Sequence, residues 1–302
     1  MMRYTVECVP NFSEGRDAGK VQSILAAVIA GPCVACLDIM MDADHNRSVV
    51  TLVGTPGGVA EAALRGIGCA AALLDLNQHS GLHPRIGAAD VVPFVPLDGT
   101  ALKTCVEIAE QVAEQAWTRY QIPTYLYEAA ARRPARRNLE SVRKGGFEGL
   151  RDEVRVNPER KPDFGDAALH PTAGATAVGA RNFLIAYNIN LNVPDAAIAQ
   201  TIARQVRASN GGLEGVKAMG LLLPSKNMAQ VSLNITDFKA APLARVFAEV
   251  EKEAAALGAM VLESELIGLV PRAALDGAPI ERMCIRDFSP GMILENRLAR
   301  VT

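Results

Sequence analysis

The chain has 302 residues, of which 49% are hydrophobic and 21% are charged. This composition is typical of a folded globular protein and excludes collagen-like and disordered chains. The net charge of −2 gives no general attraction for phosphates, so we expect no nucleic-acid partner. The first residues lack a secretory leader's apolar run, and no later run reaches the ~18 residues of a membrane span. We therefore expect a cytoplasmic protein without a membrane partner.

The first part of the chain predicts the element order β-α-β-β-α-β. Apolar residues at helical spacing indicate helices, and short β-branched runs between turn residues indicate strands. The predicted elements are a strand over 5–9, a helix over 21–29, strands over 33–39 and 48–53, a helix over 59–74 and a strand over 91–95. A helix over 102–116 and a strand over 124–127 follow. Residues 132–180 have weak periodicity, which predicts a long connection.

The second part repeats this order. We predict a strand over 183–191, a helix over 198–206, strands over 219–223 and 231–235, a helix over 246–257 and a strand over 260–262. Two split βαβ patterns predict an α+β protein with two related subdomains, 1–180 and 181–302, each of the ferredoxin-like type. Ligands favour the seam between such domains, which predicts a ligand channel there.

Cysteines and paired histidines do not predict a metal site. The six cysteines are scattered, and Cys33 and Cys36 fall in a predicted strand, where residues three apart point to opposite faces. Buried packing is favoured for them over redox chemistry. His79 and His83 have the spacing of a helical metal pair, but Gly81 and the proline at 84 disfavour a helix there.

Polar and glycine residues concentrate in three loops, at 9–16, 79–90 and 162–181. Such loops on a rigid scaffold are common sites of function. A histidine in the glycine-proline loop is suited to proton transfer near neutral pH, although taken alone it is more often a hydrogen-bonded surface residue. The basic run over 132–144 could meet an acidic substrate tail, but solvated helix surface is the favoured interpretation.

These loops resemble the formiminotransferase family. The matching stretches occur in the family's order over nearly the whole chain, and they are 7–15, 46–54, 83–96, 162–165, 174–176, 179–191, 229–237 and 265–271. The resemblance implies transfer of a formimino group from N-formimino-L-glutamate to N5 of tetrahydrofolate, in histidine degradation and one-carbon metabolism. It also implies a homodimer of two-subdomain chains with folate in a channel between the subdomains, and no cyclodeaminase half.

The resemblance also assigns residues to roles. His83, in the His-Pro-Arg motif, takes the position of the catalytic acid/base. One histidine can take the proton that N5 loses and give it to the departing glutamate nitrogen. The family's folate-binding segment falls on Gly165, Asp166, Ala167, Ala168, Leu169, His170, Pro171, Thr172, Ala173 and Gly174.

Further candidates come from the chemistry of the two substrates. Carboxylates on glutamate and folate call for guanidinium groups, for which the candidates are Arg16, Arg47 and Arg181. The pterin edge or glutamate could be bound by Asn11, Ser13 and Glu14, although these residue types also form loops by themselves. Arg85 and Asp90 are candidates to orient or balance the charge of the histidine, and a loop ion pair explains them equally well.

Three positions depart from the family pattern. An acidic residue that assists the histidine in the two-domain enzymes aligns with Met40, although Asp38 and Asp42 are close in sequence; Leu82 replaces a frequent Glu, and Ala173 an aromatic residue. A methionine cannot stabilise an imidazolium. Two alternatives therefore remain open, a 5-formyltetrahydrofolate:glutamate formyltransferase and a folate- or pterin-binding protein without catalysis.

Overall fold

The computed structural model describes residues 4–97 and 99–301. These residues form eleven strands and eight α-helices, which confirms the predicted α+β class. The chain divides into two compact units, one ending at Asn182 and the other comprising Phe183–Val301.

The first unit is a mixed sheet with helices. Its elements are β1 (Val6–Cys8), β2 (Asn11–Phe12), α1 (Ala18–Ile29), β3 (Val34–Asp42), β4 (Arg47–Gly54), α2 (Pro56–Leu73), β5 (Ala89–Pro96), α3 (Leu102–Tyr120), β6 (Thr124–Glu128), α4 (Leu139–Arg143), α5 (Gly146–Glu153) and β7 (Thr176–Ala180). The strand order is β1-β4-β2-β5-β7-β6, and β3 pairs with β4. Strands β5, β7 and β6 run parallel, whereas β1 to β5 pair in antiparallel fashion.

Helices α1 and α2 start where their sequences supply caps. The carboxylate of Asp17 accepts hydrogen bonds from the first backbone N–H groups of α1, and the hydroxyl of Thr55 does the same for α2. The apolar stripe of α1, formed by Val21, Ile24 and Val28, is buried as its spacing predicts. Helix α1 contacts α2 and β3, and α2 in turn contacts β3, β4 and β5, whose loops carry the candidate site.

The predicted long connection over 132–180 was wrong in part. It contains α4, α5 and the strand β7, which lies between β5 and β6. All five residues of β7 are buried, so its sequence Thr-Ala-Val-Gly-Ala lacks the alternation that marks a half-exposed strand. A Cβ on Gly179 would stand 2.5 Å from the Tyr127 ring, so only a residue without a side chain fits there.

The cysteine pair also differs slightly from the prediction. Strand β3 begins at Val34, and Cys33 precedes it with a φ of +66°. All six cysteines are free thiols. Among the described residues, no group of three or more His, Cys, Asp and Glu side chains is arranged to hold a metal ion.

The second unit is a four-stranded antiparallel sheet with helices. Its elements are β8 (Ile185–Leu191), α6 (Ala196–Val206), β9 (Val216–Leu223), β10 (Met228–Ile235), α7 (Leu243–Ala256), β11 (Val261–Ile267) and α8 (Leu294–Leu298). The strand order is β11-β8-β10-β9. Alternate residues of β8, namely Ile185, Tyr187, Ile189 and Leu191, join the apolar core of this unit. Within residues 4–97 and 99–301, no helix has both the length and the apolar character needed to cross a bilayer.

Candidate active site

A fully buried carboxylate organises the loops of the first unit. Asp90 lies in β5, and its Oδ1 accepts a hydrogen bond of 2.9 Å from the backbone N–H of Ile86. Its Oδ2 accepts one of 2.9 Å from Nη1 of Arg47 and another from Nη2 of Arg143. Burial alone would raise the pKa of Asp90, but Arg143 and Arg47 outweigh this effect and hold it below its usual value of 3.8. Asp90 is therefore an ionised anchor for two guanidinium groups.

His83 lies beside this cluster. Its Nδ1 is 2.8 Å from the carbonyl oxygen of Pro84 and 3.1 Å from Nη1 of Arg47. A carbonyl oxygen can only accept, so the contact with Pro84 places a proton on Nδ1 and leaves Nε2 as the proton acceptor of the ring. Nη1 of Arg47 is then a neighbouring cation and not a hydrogen-bond donor to Nδ1. Burial and the two cations Arg47 and Arg143 lower the pKa of His83 well below its usual value of 6.5. The imidazole is therefore neutral at pH 7 and able to act as a base.

Arg47 connects the cluster to the first loop. Its Nε donates a hydrogen bond of 2.9 Å to Oδ1 of Asn11, whose own Nδ2 donates to the carbonyl oxygen of Val9. Burial and the nearby Arg143 lower the pKa of Arg47 to about 10, although Asp90 opposes this shift. Arg47 thus remains a cation at neutral pH, held in place from two sides.

The remaining candidates of the first loop mainly shape its backbone. The Ser13 hydroxyl donates a hydrogen bond of 2.7 Å to the carbonyl oxygen of Gly87. Oε1 of Glu14 accepts hydrogen bonds from the N–H groups of Arg16 and Asp17. The exposed Arg16 guanidinium donates from Nε to the carbonyl oxygen of Ala43, at 2.9 Å. These contacts fix the loop against β5 and the start of α1.

Arg85 contacts His79 rather than His83. Its Nε donates a hydrogen bond of 2.8 Å to Nδ1 of His79, and Nε2 of His79 lies 3.0 Å from the carbonyl oxygen of Asn46. The other end of the guanidinium forms two hydrogen bonds with the carboxylate of Glu148 in α5, at 2.8 and 3.1 Å. Arg85 therefore holds His79 in one tautomer and ties the loop to α5.

The segment from Gly165 to Gly174 lies against the same loop. Backbone carbonyl oxygens of Thr172 and Ala173 accept from the N–H groups of Leu76 and Ala88, at 2.8 and 2.9 Å. Gly174 has a φ of +71°, and a Cβ there would stand 2.1 Å from the carbonyl oxygen of Ile86. The structure thus brings the C-terminal end of this segment next to the backbone that leads to Asp90.

The segment also has a turn of its own. His170 and Gly174 exchange two backbone hydrogen bonds, of 3.0 and 3.1 Å, and Nδ1 of His170 accepts 3.0 Å from the N–H of Ala173. Burial lowers the pKa of His170. The ring is therefore a neutral acceptor that closes the turn.

Comparison with known proteins shows the family of this chain. A model of the formiminotransferase domain, N-terminal subdomain, matches residues 5–181, and a model of the formiminotransferase domain matches residues 186–280. The chain is 43% identical to a glutamate formimidoyltransferase of Thermoplasma acidophilum, over 98% of this chain and 97% of that protein. It is 44% identical to one of Streptococcus pyogenes serotype M1, over 98% of this chain and 99% of that protein.

The chain belongs to the formiminotransferase family. This confirms the resemblance found in its loops. It is also 41% identical to the formimidoyltransferase-cyclodeaminase of Mus musculus, over 92% of this chain but only 52% of that protein. The chain thus corresponds to about half of the longer members of the formiminotransferase family.

One arginine of the basic run is buried and a second is partly buried, so the interpretation as solvated helix surface was wrong for these two residues. Arg136 is 4% exposed and pairs with Asp163, whereas the side chain of Arg143 is 11% exposed and pairs with Asp90. Sequence reasoning missed Arg143 because it lies 53 residues from its partner. No local spacing distinguishes it from exposed neighbours such as Arg137.

The departures from the family pattern have identifiable surroundings. Met40 lies in β3 opposite Val49. The nearby Asp42 accepts a hydrogen bond of 3.0 Å from Nδ1 of His45. The ring of His45 packs edge-on against the ring of His83, with 6.1 Å between the ring centroids. Burial raises the pKa of Asp42, but its hydrogen bonds from the His45 ring and backbone lower it overall. One of the two carboxylates that lie two residues from Met40 is therefore held by His45.

A second buried group involves Glu7, Tyr127 and Arg181. Burial raises the pKa of Glu7 to about 7, although the nearby Arg181 opposes the shift. Burial likewise raises the pKa of Tyr127 to about 12, against the effects of Arg181 and Arg143. Arg181 thus faces two buried titratable side chains, and its Nη1 donates 3.0 Å to the carbonyl oxygen of Asn182.

We expect Glu7→Gln to remove a pH dependence of stability. Because the folded-state pKa is raised from 4.5 to about 7, the stabilisation from protonated Glu7 is complete below pH 4.5 and is lost as the pH rises to about 7. The shift corresponds to about 3 kcal/mol. Urea unfolding at pH 5 and pH 8 measures it. Glu114→Gln on exposed helix surface is the control, with a change within about 0.5 kcal/mol at both pH values. A native protein equally stable at both pH values contradicts the expectation.

Proposed function

We propose that this protein is a glutamate formimidoyltransferase, which transfers the formimino group of N-formimino-L-glutamate to N5 of tetrahydrofolate. Two relatives that bear this name are 43% and 44% identical over nearly their whole length. The observation that carries the proposal is His83, a neutral imidazole with Nε2 as acceptor, anchored beside two arginines and a buried aspartate.

The reaction needs one group that both accepts and donates a proton. N5 attacks the formimino carbon, which forms a C–N5 bond and a tetrahedral intermediate. Nε2 of His83 takes the proton from N5 and gives it to the glutamate nitrogen, whose bond to the carbon then breaks. The imidazolium exists only between these steps, and its low pKa favours donation to the leaving nitrogen. The proton count is unchanged, so no further reactant is required.

The charges of the site suit both substrates. N-formimino-L-glutamate is an anion, and tetrahydrofolate carries carboxylates on its own glutamate tail. We place tetrahydrofolate along Gly165–Gly174, whose C-terminal end is hydrogen-bonded to the loop that carries His83. Arg47, Arg181 and the exposed Arg16 are the proposed partners of substrate carboxylates. Asn11, Ser13 and Glu14 fix the wall of the site.

Several finer assignments accompany this function. The second unit has the element order β-α-β-β-α-β with the strand order β11-β8-β10-β9, and we propose that it is ferredoxin-like. The homodimer, the cytoplasmic location and the ligand channel implied by the resemblance stay predictions.

The test is a pair of turnover assays on the intact chain. One contains tetrahydrofolate and N-formimino-L-glutamate, the other 5-formyltetrahydrofolate and glutamate. We expect transfer in the first assay. Activity only in the second would move the assignment to the formyltransferase, the alternative that the methionine at position 40 leaves open. No turnover in either assay, together with a folate-induced rise in melting temperature, would indicate a folate-binding protein without catalysis.

A further inference from the structure

Arg143 has a buried donor that the protein leaves unused. Its side chain is 11% exposed, and Nη2 donates to Oδ2 of Asp90. Its Nε is also buried, yet it has no hydrogen-bond partner among the described residues. Buried N–H groups are nearly always satisfied in folded proteins. A largely buried cation that shares its one protein acceptor with a second cation, beside a candidate active site, points to an anion that a ligand supplies.

Arg136, in the same basic run, shows what a purely structural arginine looks like here. Its Nη1 pairs with Asp163, and its Nη2 donates to the backbone carbonyl oxygens of Glu159 and Lys161. These contacts join the segments on either side of α4 and α5. Arg143 has one protein acceptor instead, and it shares that acceptor with Arg47.

The charges of the cluster are unbalanced in favour of an anion. Arg47 and Arg143 carry one positive charge each, whereas Asp90 carries the only negative charge among the groups they bind. The other oxygen of Asp90 is occupied by the N–H of Ile86, and His83 is neutral. One positive charge is therefore in excess in a largely buried site, where an anionic group would be stabilised strongly.

We propose that Arg143 and Arg47 bind the α-carboxylate of the glutamate moiety of the substrate. This inference rests on the proposed function and names the carboxylate that the site selects. The α-carboxylate is attached to the same carbon as the reacting nitrogen, so its partner must lie near the group that protonates this nitrogen. Arg143 and Arg47 share Oδ2 of Asp90, and Nη1 of Arg47 lies 3.1 Å from Nδ1 of His83. The γ-carboxylate is two carbons farther from the reaction.

Calorimetric titration with N-formimino-L-glutamate tests the assignment without requiring turnover. We expect Arg143→Ala to weaken binding about 10- to 100-fold, as expected for a lost hydrogen bond between charged groups. Arg143→Lys keeps the charge but loses the planar fork, so its loss should be smaller. Arg137→Ala removes an exposed arginine of the same basic run and should bind like the native protein. Melting temperatures verify that each variant is folded. If Arg143→Ala does not fold, the binding measurement on Arg143→Lys tests the assignment.

A substrate analogue identifies the carboxylate. N-formimino-4-aminobutyrate lacks only the α-carboxylate, so the native protein should bind it about 10- to 100-fold more weakly than N-formimino-L-glutamate. Arg143→Ala should lose this preference, and Arg143→Lys should reduce it. Unchanged preference in the variants, or no native binding of N-formimino-L-glutamate, overturns the assignment. Binding without group transfer overturns the proposed function alone.

Discussion

Replacement of His83 by alanine is expected to lower kcat for formimino transfer about 10³-fold, within the usual range for loss of a general acid–base group. Among the described residues, the two neighbouring histidines are engaged elsewhere, because His45 is hydrogen-bonded to Asp42 and His79 to Arg85. Steady-state kinetics with both substrates measure the effect. Leu82→Ala, an exposed change in the same loop, should keep the native kcat. A His83→Ala variant with more than a tenth of the native kcat would remove the histidine from the mechanism.

The pH profile provides a second readout of the same residue. The base form of His83 is the active one, and its pKa lies well below 6.5, so kcat/KM should fall only at pH values below 6.5. Arg47→Ala removes one of the cations that lower this pKa. The acid limb of the variant should therefore move to higher pH, in addition to any loss of rate. If the acid limb of the Arg47→Ala profile lies at the same pH as in the native protein, a group other than His83 controls it.

Asp90→Asn is expected to destabilise the first unit by about 3–5 kcal/mol, because it leaves two largely buried guanidinium groups without their shared, fully buried counter-charge. Since the folded-state pKa is lowered, the stabilisation is complete above pH 3.8 and is lost as the pH falls through that lowered pKa. The difference from the native protein should thus be largest at neutral pH and shrink in acid. Urea unfolding curves at several pH values measure it.

An exposed ion pair provides the control for this substitution. Glu61 pairs with Arg119 at 3.0 Å, and the two side chains are 46% and 40% exposed. Glu61→Gln should cost less than about 1 kcal/mol, because water solvates both partners when the pair is broken. Equal effects of Asp90→Asn and Glu61→Gln would mean that the buried cluster contributes no more than a surface contact.

The sequence predicted elements whose residues show a period and missed one that does not. The stripe of Val21, Ile24 and Val28 predicted α1, and the run over 183–191 predicted β8, in which alternate residues enter the core. Strand β7 has small residues that are all buried, so no face could be recognised. Periodicity reports the contrast between two environments, and a strand buried on both faces has none.

The candidate site was predictable where chemistry is local. A histidine in a glycine-proline loop suggested proton transfer, and the aspartate at position 90 was recognised as a possible neighbour. The identity of its partners was not predictable, because Arg47 and Arg143 are 43 and 53 residues away from it along the chain. Only the folded sheet and α4 bring these guanidinium groups to one carboxylate.

The position of β7 in the sheet affects the order in which the first unit can form. β6 precedes β7 in the chain, but it reaches β5 only through β7, so these strands cannot be completed until residues 176–180 have been synthesised. Until then the edge of β5 stays open while the ribosome adds about 80 residues, and open strand edges are prone to aggregation. The segment from Gly165 to Gly174 directly precedes β7, so the last strand to be inserted also positions the proposed folate segment. Nascent chains of this protein should therefore expose the edge of β5 until residues 176–180 have been added, and should acquire substrate binding only after that point.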